Sequence, residues 1–262
     1  MSSQARPSAG VPSISQTDVV IQGIKEMITS GKLGPGSRLP IEKDLAAALA
    51  VSRGSLREGV RALANMGVLE TRQGDGTYVT SLSADRLLAP MEFMIDLQDA
   101  AGVAHVQNVR RILESEAAAL AASRMSESDL DDAEAILDTA GRLIAAGGSP
   151  DHEAILESDL DFHRLIAKAC GNPALEALIE AMASRTVRGR LWRSIAVQGA
   201  VERTHAEHLA ILAALRAGST EGARIRMANH LLGVQEFLEA QAPAGISDPS
   251  APAGSPDSAP AQ

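Results

Sequence analysis

Asp159 and His163 stand four residues apart, the separation at which two side chains leave one face of a helix a turn apart and can close on a single ion. His208 and His230 fall on two further helical stretches, which the turn residues Gly218 and Ser219 fold into neighbours. One carboxylate and three imidazoles could thus converge inside a bundle. Such oxygen and nitrogen donors suit one divalent ion per chain, with Zn, Ni or Mn equally fitting, and an open position on it would take water or a carboxylate. A histidine taken singly is more often a surface or hydrogen-bonded core residue than a ligand, and His105, His152 and His205 are read that way. The same donor set is also an enzyme's equipment, so a metal-dependent hydrolase or lyase stands as the alternative. No spaced general base, nucleophile motif or glycine-rich phosphate loop accompanies it to complete a reaction.

A second chemistry lies nearer the N-terminus. At 100° per residue, Arg53, Arg57 and Arg61 share an arc of roughly 80° beside an apolar stripe of Leu56, Val60 and Leu63. Arginine can donate two hydrogen bonds to guanine in the major groove, and a helix N-terminus favours phosphate, so a helix starting at Arg53 suits DNA. On an isolated helix the same arginines would more often be solvated surface charge.

The elements that must carry these residues are mostly helical. Aromatic residues make up 2% of the chain while alanine and leucine abound, which favours helices packed through small and aliphatic side chains. Val20, Ile21, Ile24 and Ile28 mark a first helix from Thr17 to about Gly31, and Leu45, Ala46 and Leu49 a second. The third starts at Arg53 with Ser52 placed to cap it, and ends at Gly67. Two β-prone runs, Val68 to Thr71 and Thr77 to Thr80, flank a turn around Gln73 to Gly76 and read as a hairpin. Three helices and a hairpin make a winged helix-turn-helix. Beyond it, helices are expected at about 82–97, 103–124, 127–146, 151–169, 173–197, 200–217 and 219–240, six or seven in one antiparallel bundle. The reading is therefore mainly α: a flexible leader (1–16), a winged domain (17–80), a helical domain (81–242) and a disordered tail (243–262).

Net charge is −9, which would argue against a nucleic-acid partner if it were evenly spread. It is not: residues 17–80 hold eight Lys or Arg against seven Asp or Glu, whereas 81–262 hold fifteen against twenty-six. No apolar run of membrane-spanning length or secretion signal is present, and the single cysteine, Cys170, can form no internal disulfide, so a cytoplasmic protein with no membrane partner is expected.

Four segments, GSRLPIEKDLA (36–46), VSRGSLREGVRAL (51–63), GVLE (67–70) and GDGTYV (74–79), closely resemble the DNA-binding domain of the GntR family of transcriptional regulators. Two departures are visible, Ile41 where the family often has serine, and Gly54-Ser55 in place of a Thr/Pro pair. The resemblance implies DNA contacts by Arg38, Ser52, Arg53 and Arg57, and an approach of Gln73 and Gly74 at the hairpin tip to the minor groove. The second part is similar to the FCD effector domain of the FadR-like subfamily, through VRRILE (109–114), the alanine-rich run 117–122, DLDFH (159–163), CGNP (170–173), Glu207-His208 and MANH (227–230). This likeness sets Asp159, His163, His208 and His230 together as metal ligands. It implies a homodimeric repressor, not an enzyme, that reads an inverted-repeat operator in double-stranded DNA and answers to a small carboxylate effector. Arg110 is the candidate for holding that acid, because a guanidinium matches a carboxylate in bidentate fashion; its competing role is a pair with Glu114 one turn on. Asn172 could donate to the effector or stabilise the turn before Pro173.

Overall fold

The computed structural model describes residues 15–146 and 151–241. The expected leader, apart from Ser15 and Gln16, the turn at 147–150 and the expected tail lie outside them.

Helix α1 (Gln16–Thr29) begins one residue before the expected Thr17, because Ser15 and Asp18 close a reciprocal capping box. It buries Val20 and Ile24 against α3 (Arg53–Asn65), where Gly59 lets the two helices touch: a Cβ there would sit 2.5 Å from Val20. Between them lies the short α2 (Glu42–Ala48), whose N-cap position is the departure Ile41; it offers no side-chain cap and is largely exposed. A serine there would be worth about 1 kcal/mol, so α2 depends on the burial of Leu45 and Ala46. Ser52 does cap α3, accepting from the Ser55 amide at 3.0 Å.

Strands β1 (Leu69–Arg72) and β2 (Gly76–Val79) pair antiparallel, with Leu69 opposite Val79 and Arg72 opposite Gly76. The extended segment before α2 joins them, since the Leu39 amide donates to the Thr77 carbonyl at 2.8 Å and the Val79 amide to that of Ser37 at 2.9 Å. The wing is thereby tied to the base of α2, and Leu39, Leu56, Leu63, Leu69 and Val79 share one core with α1.

Among the described residues seven helices follow: α4 (Ala84–Asp96), α5 (Ala100–Ala122), α6 (Glu127–Ala145), α7 (His152–Ala169), α8 (Pro173–Ala196), α9 (Ala200–Arg216) and α10 (Thr220–Gln241). Helix α5 starts ahead of the expected residue 103, with Gly102 inside its first turn, because Asp99 caps the helix by accepting from the Gly102 amide at 2.8 Å. Alanines 118, 121, 133 and 214 fill the seams between Phe162, Ile166, Ile211, Leu215, Met227 and Leu231, so the scarcity of aromatics becomes close helix approach. None of the described helices is long and apolar enough to cross a membrane.

The two parts meet at α4. Arg86 on its first turn pairs with Glu70 of β1 at 3.1 Å, and Gly67 lies so close that a Cβ would be 2.3 Å from the Arg86 carbonyl. Pro90 cannot donate to the carbonyl four residues before it, which is that of Arg86. The rest of α4 packs along α8.

Candidate metal centre and nucleic-acid interface

Asp159 and His163 project from the buried face of α7, beside Phe162 and Ile166. His208 reaches them from α9 and His230 from α10, and all four residues are at least nine-tenths buried. The Nε2 atom of His230 lies 3.2 Å from that of His163 and 3.2 Å from that of His208. Asp159 Oδ1 stands 3.5 Å from His208 Nε2 and 3.9 Å from His163 Nε2. The four ligand atoms all fall within 4.8 Å of one another.

Two carboxylates behind the rings decide their protonation. His163 Nδ1 donates to Glu114 on α5, and His230 Nδ1 donates to Glu207 at 2.9 Å. A carboxylate only accepts, so each ring carries its proton on Nδ1 and turns a bare Nε2 lone pair inward. Lone pairs facing each other at 3.2 Å repel unless a cation lies between them. Nitrogens bound tetrahedrally to one ion at 2.0–2.1 Å would be about 3.3 Å apart, so the donor set fits a divalent metal in spacing as well as in kind.

The electrostatics agree. Burial pushes the His208 imidazole well below its ordinary value, with His230 adding to the shift. Burial likewise lowers His230, against the hydrogen bond that it donates to Glu207. Both are therefore neutral, as a ligand must be. Burial alone would raise Asp159, yet the Arg190 guanidinium beside it holds it below the usual carboxylate range. The same contest at Glu114 is won by Arg110 and His163. Arg190 is lowered to about 10 by burial and by Arg110, and so stays cationic at neutral pH.

A cavity of about 50 Å³ opens beside Asp159, His208 and His230. Arg190, Arg193, Thr204 and His205 also line it; Arg110 does not. Arg110 is fully buried and donates to Glu114, the pairing weighed against an effector role. Asn172 caps α8, its Oδ1 accepting from the amides of Ala174 at 3.2 Å and Leu175 at 3.3 Å. His205, read from the sequence as no ligand, lies on the cavity wall outside the four-residue group. Sequence reasoning did not single out Arg190 or Arg193, and it treated Glu114 only as a partner for Arg110. Glu207 stood in view beside His208.

The second candidate region is a groove between α2, α3 and the hairpin, lined by Arg38, Arg57, Arg61, Arg72, Gln73 and Gly74. Ser52 and Arg53 are exposed at the start of α3. Arg57 grips Glu42 through Nε at 3.0 Å and Nη2 at 2.9 Å, while Arg38 is 4.0 Å from Asp75. Arg72 lies over the Tyr78 ring, 4.3 Å from its centroid. These pairs are exposed and screened by water, so a polyanion can displace them.

Comparison with known proteins agrees with both halves. The profile described as "Bacterial regulatory proteins, gntR family" matches residues 16–79, and that of the FCD domain matches 105–233. The HTH-type transcriptional regulator LutR of Bacillus subtilis (strain 168) is 32% identical over 217 residues, 81% of this chain and 96% of LutR. The HTH-type transcriptional repressor NanR of Escherichia coli (strain K12) is 27% identical over 223 residues, covering 83% of this chain and 82% of NanR. A solved structure of Streptococcus agalactiae GntR superposes with a TM-score of 0.57 at 26% identity, covering 84% of this chain and 99% of that one.

Proposed function

Because the chain belongs to the GntR family and joins its winged helix-turn-helix to an FCD domain, it is a regulator of transcription and not an enzyme, and we propose that it is a metal-dependent, acid-responsive repressor. The hydrolase or lyase alternative falls with that membership. In this reading residues 17–80 bind an inverted-repeat operator through Arg38, Ser52, Arg53, Arg57, Gln73 and Gly74. Residues 81–242 sense a small organic acid, and two copies act together.

The observation that carries the sensing half is the convergence of three imidazole Nε2 atoms and Asp159 Oδ1, with Glu114 and Glu207 holding the orientation of His163 and His230. Asp159, His163, His208 and His230 would hold the ion; when bound it supplies positive charge and a Lewis-acidic position for a carboxylate oxygen. The repressor name of NanR supports the direction of regulation. Arg110 and Asn172 act in this scheme by positioning: Arg110 holds Glu114, which orients His163, and Asn172 starts the helix that carries Arg190. The helices α8 and α4 then offer a route to the wing, since α4 packs on α8 and meets Gly67 and Glu70.

Operator titration tests the whole scheme, using DNA selected by the protein from a random library and a panel of C2 to C6 carboxylic acids. Arg53→Ala with Arg57→Ala should weaken operator binding by about 1–3 kcal/mol for each base that one of these side chains reads. Wild type should lose roughly 5- to 150-fold in operator affinity when the right acid is added. His208→Ala should lose the metal by elemental analysis, lose the acid response, and keep DNA binding. Full operator affinity in the double variant would refute the assignment of Arg53 and Arg57 to DNA. A metal-free His208→Ala that kept the full acid response would refute the sensing mechanism.

A further inference from the structure

Arg190 is 94% buried and lines the cavity beside Asp159, so its five donors must find partners inside the protein. Only one does among the described residues: Nη1 donates to Asp159 Oδ2, while Nε and Nη2 are buried with no partner. Those two nitrogens are not a random remainder. In the planar guanidinium their N–H bonds run parallel along one edge, and that edge receives a carboxylate through two parallel hydrogen bonds. An unpartnered fork therefore belongs to a side chain that lines a cavity also touching His208 and His230.

Charge sets the class of anion. Around this site three guanidinium groups, Arg110, Arg190 and Arg193, face three carboxylates, the buried Glu114 and Asp159 and the partly exposed Glu207. With the imidazoles as neutral ligands these charges balance. A divalent ion would leave two positive charges uncompensated where water is scarce, a strongly unfavourable condition that a dianion relieves. Arg193, one turn beyond Arg190, adds a second cation on the same wall, with Nη1 3.4 Å from Thr204 Oγ1. The small size of the cavity favours a dianion with a short carbon chain.

Resting on the metal-dependent reading above, we propose that the effector is a short dicarboxylate and that Arg190, through Nε and Nη2, is the residue that grips one of its carboxylates. Arg190 is then a specificity-determining residue of the sensor, while its Nη1 keeps Asp159 in place.

The probes are malonate and malonamate, which share a three-carbon skeleton and differ by one charge, titrated calorimetrically into the full chain loaded with Zn²⁺. Metal content is measured before and after to exclude stripping. Malonate is expected to bind at least tenfold more tightly than malonamate, and only when metal is present. Arg190→Lys keeps the charge without the fork; it should retain the metal, lose tenfold or more in malonate affinity, and reduce the preference over malonamate. Arg190→Gln gives the same test without the charge, and circular dichroism confirms that each variant is folded. Equal affinity for the two probes, or a metal-bearing Arg190→Lys with wild-type malonate affinity, overturns the proposal. Metal uptake with release of DNA by a monocarboxylate alone also overturns it while leaving the metal-dependent sensor standing. No metal uptake and no response to any acid overturns both.

Discussion

A histidine buried next to other histidines is a stability liability whenever it can take a proton in the unfolded chain. His208 and His230 are both lowered by burial, from an ordinary value of 6.5. Above that value the rings are neutral folded or unfolded, and pH has no effect through them. Below it the unfolded chain binds protons that the folded chain refuses, so stability is lost as pH falls toward the folded-state values. Asp159 and Glu114, lowered by their guanidinium and imidazole neighbours, contribute in the same direction only as pH falls through the carboxylate range. The melting temperature of the metal-free protein should accordingly hold steady from about pH 8 to pH 7 and fall below about pH 6.5, and His208→Leu should flatten part of that fall. A profile that stays flat to about pH 5.5 in the metal-free wild type would mean that these rings are not held neutral.

Among the elements, α4 has the least independent reason to exist where it does. Its N-cap Ser83 makes no side-chain cap hydrogen bond, Pro90 interrupts its hydrogen-bond ladder, and its position comes from the wing on one side and α8 on the other. Gly67 controls the first of these contacts. It has φ +74° and no room for a Cβ against the Arg86 carbonyl, whereas Gly74 at the hairpin tip has φ +75° and nothing within 4 Å. Gly67→Ala therefore carries the left-handed cost of about 1–2 kcal/mol plus displacement of α4, and Gly74→Ala carries the first cost alone. Urea denaturation should rank Gly67→Ala as the less stable of the two, and acid should release less DNA from it at unchanged metal content. Equal stabilities would show that the approach to α4 carries no energy.

At the scale of the molecule, charge and symmetry pull in one direction. The acidic excess lies in residues 81–262, which leaves the winged half nearly neutral overall with its arginines gathered along one groove. A single winged domain covers only a short half-site, so tight binding requires two, most simply related by a two-fold axis that an inverted repeat matches. Light scattering should give twice 27.3 kDa at micromolar concentration. A monomer that bound a selected operator tightly would contradict the paired arrangement.

Local order was legible in the residues themselves. Ser52 ahead of Arg53, Asn172 ahead of Pro173 and the four-residue step from Asp159 to His163 act within one helical turn, where backbone geometry leaves little choice. The helix count followed for the same reason, and the first turn of α5 was missed because the cap at Asp99 outweighed the glycine after it. Even the pairing of Arg110 with Glu114 could be read as one of two options from their spacing. Contacts between helices were a different matter. Glu114 meets His163 across 49 residues, Arg190 meets Asp159 across 31, and Arg57 finds Glu42 across 15. Periodicity says which face of each helix is buried, but not which neighbour crosses it or at what height, because the packing of alanine seams against Phe162, Ile211 and Met227 sets those crossings. The four converging residues were therefore written in the sequence, whereas the carboxylates that orient two of their rings and the arginine that lines the cavity emerged only once the helices had packed.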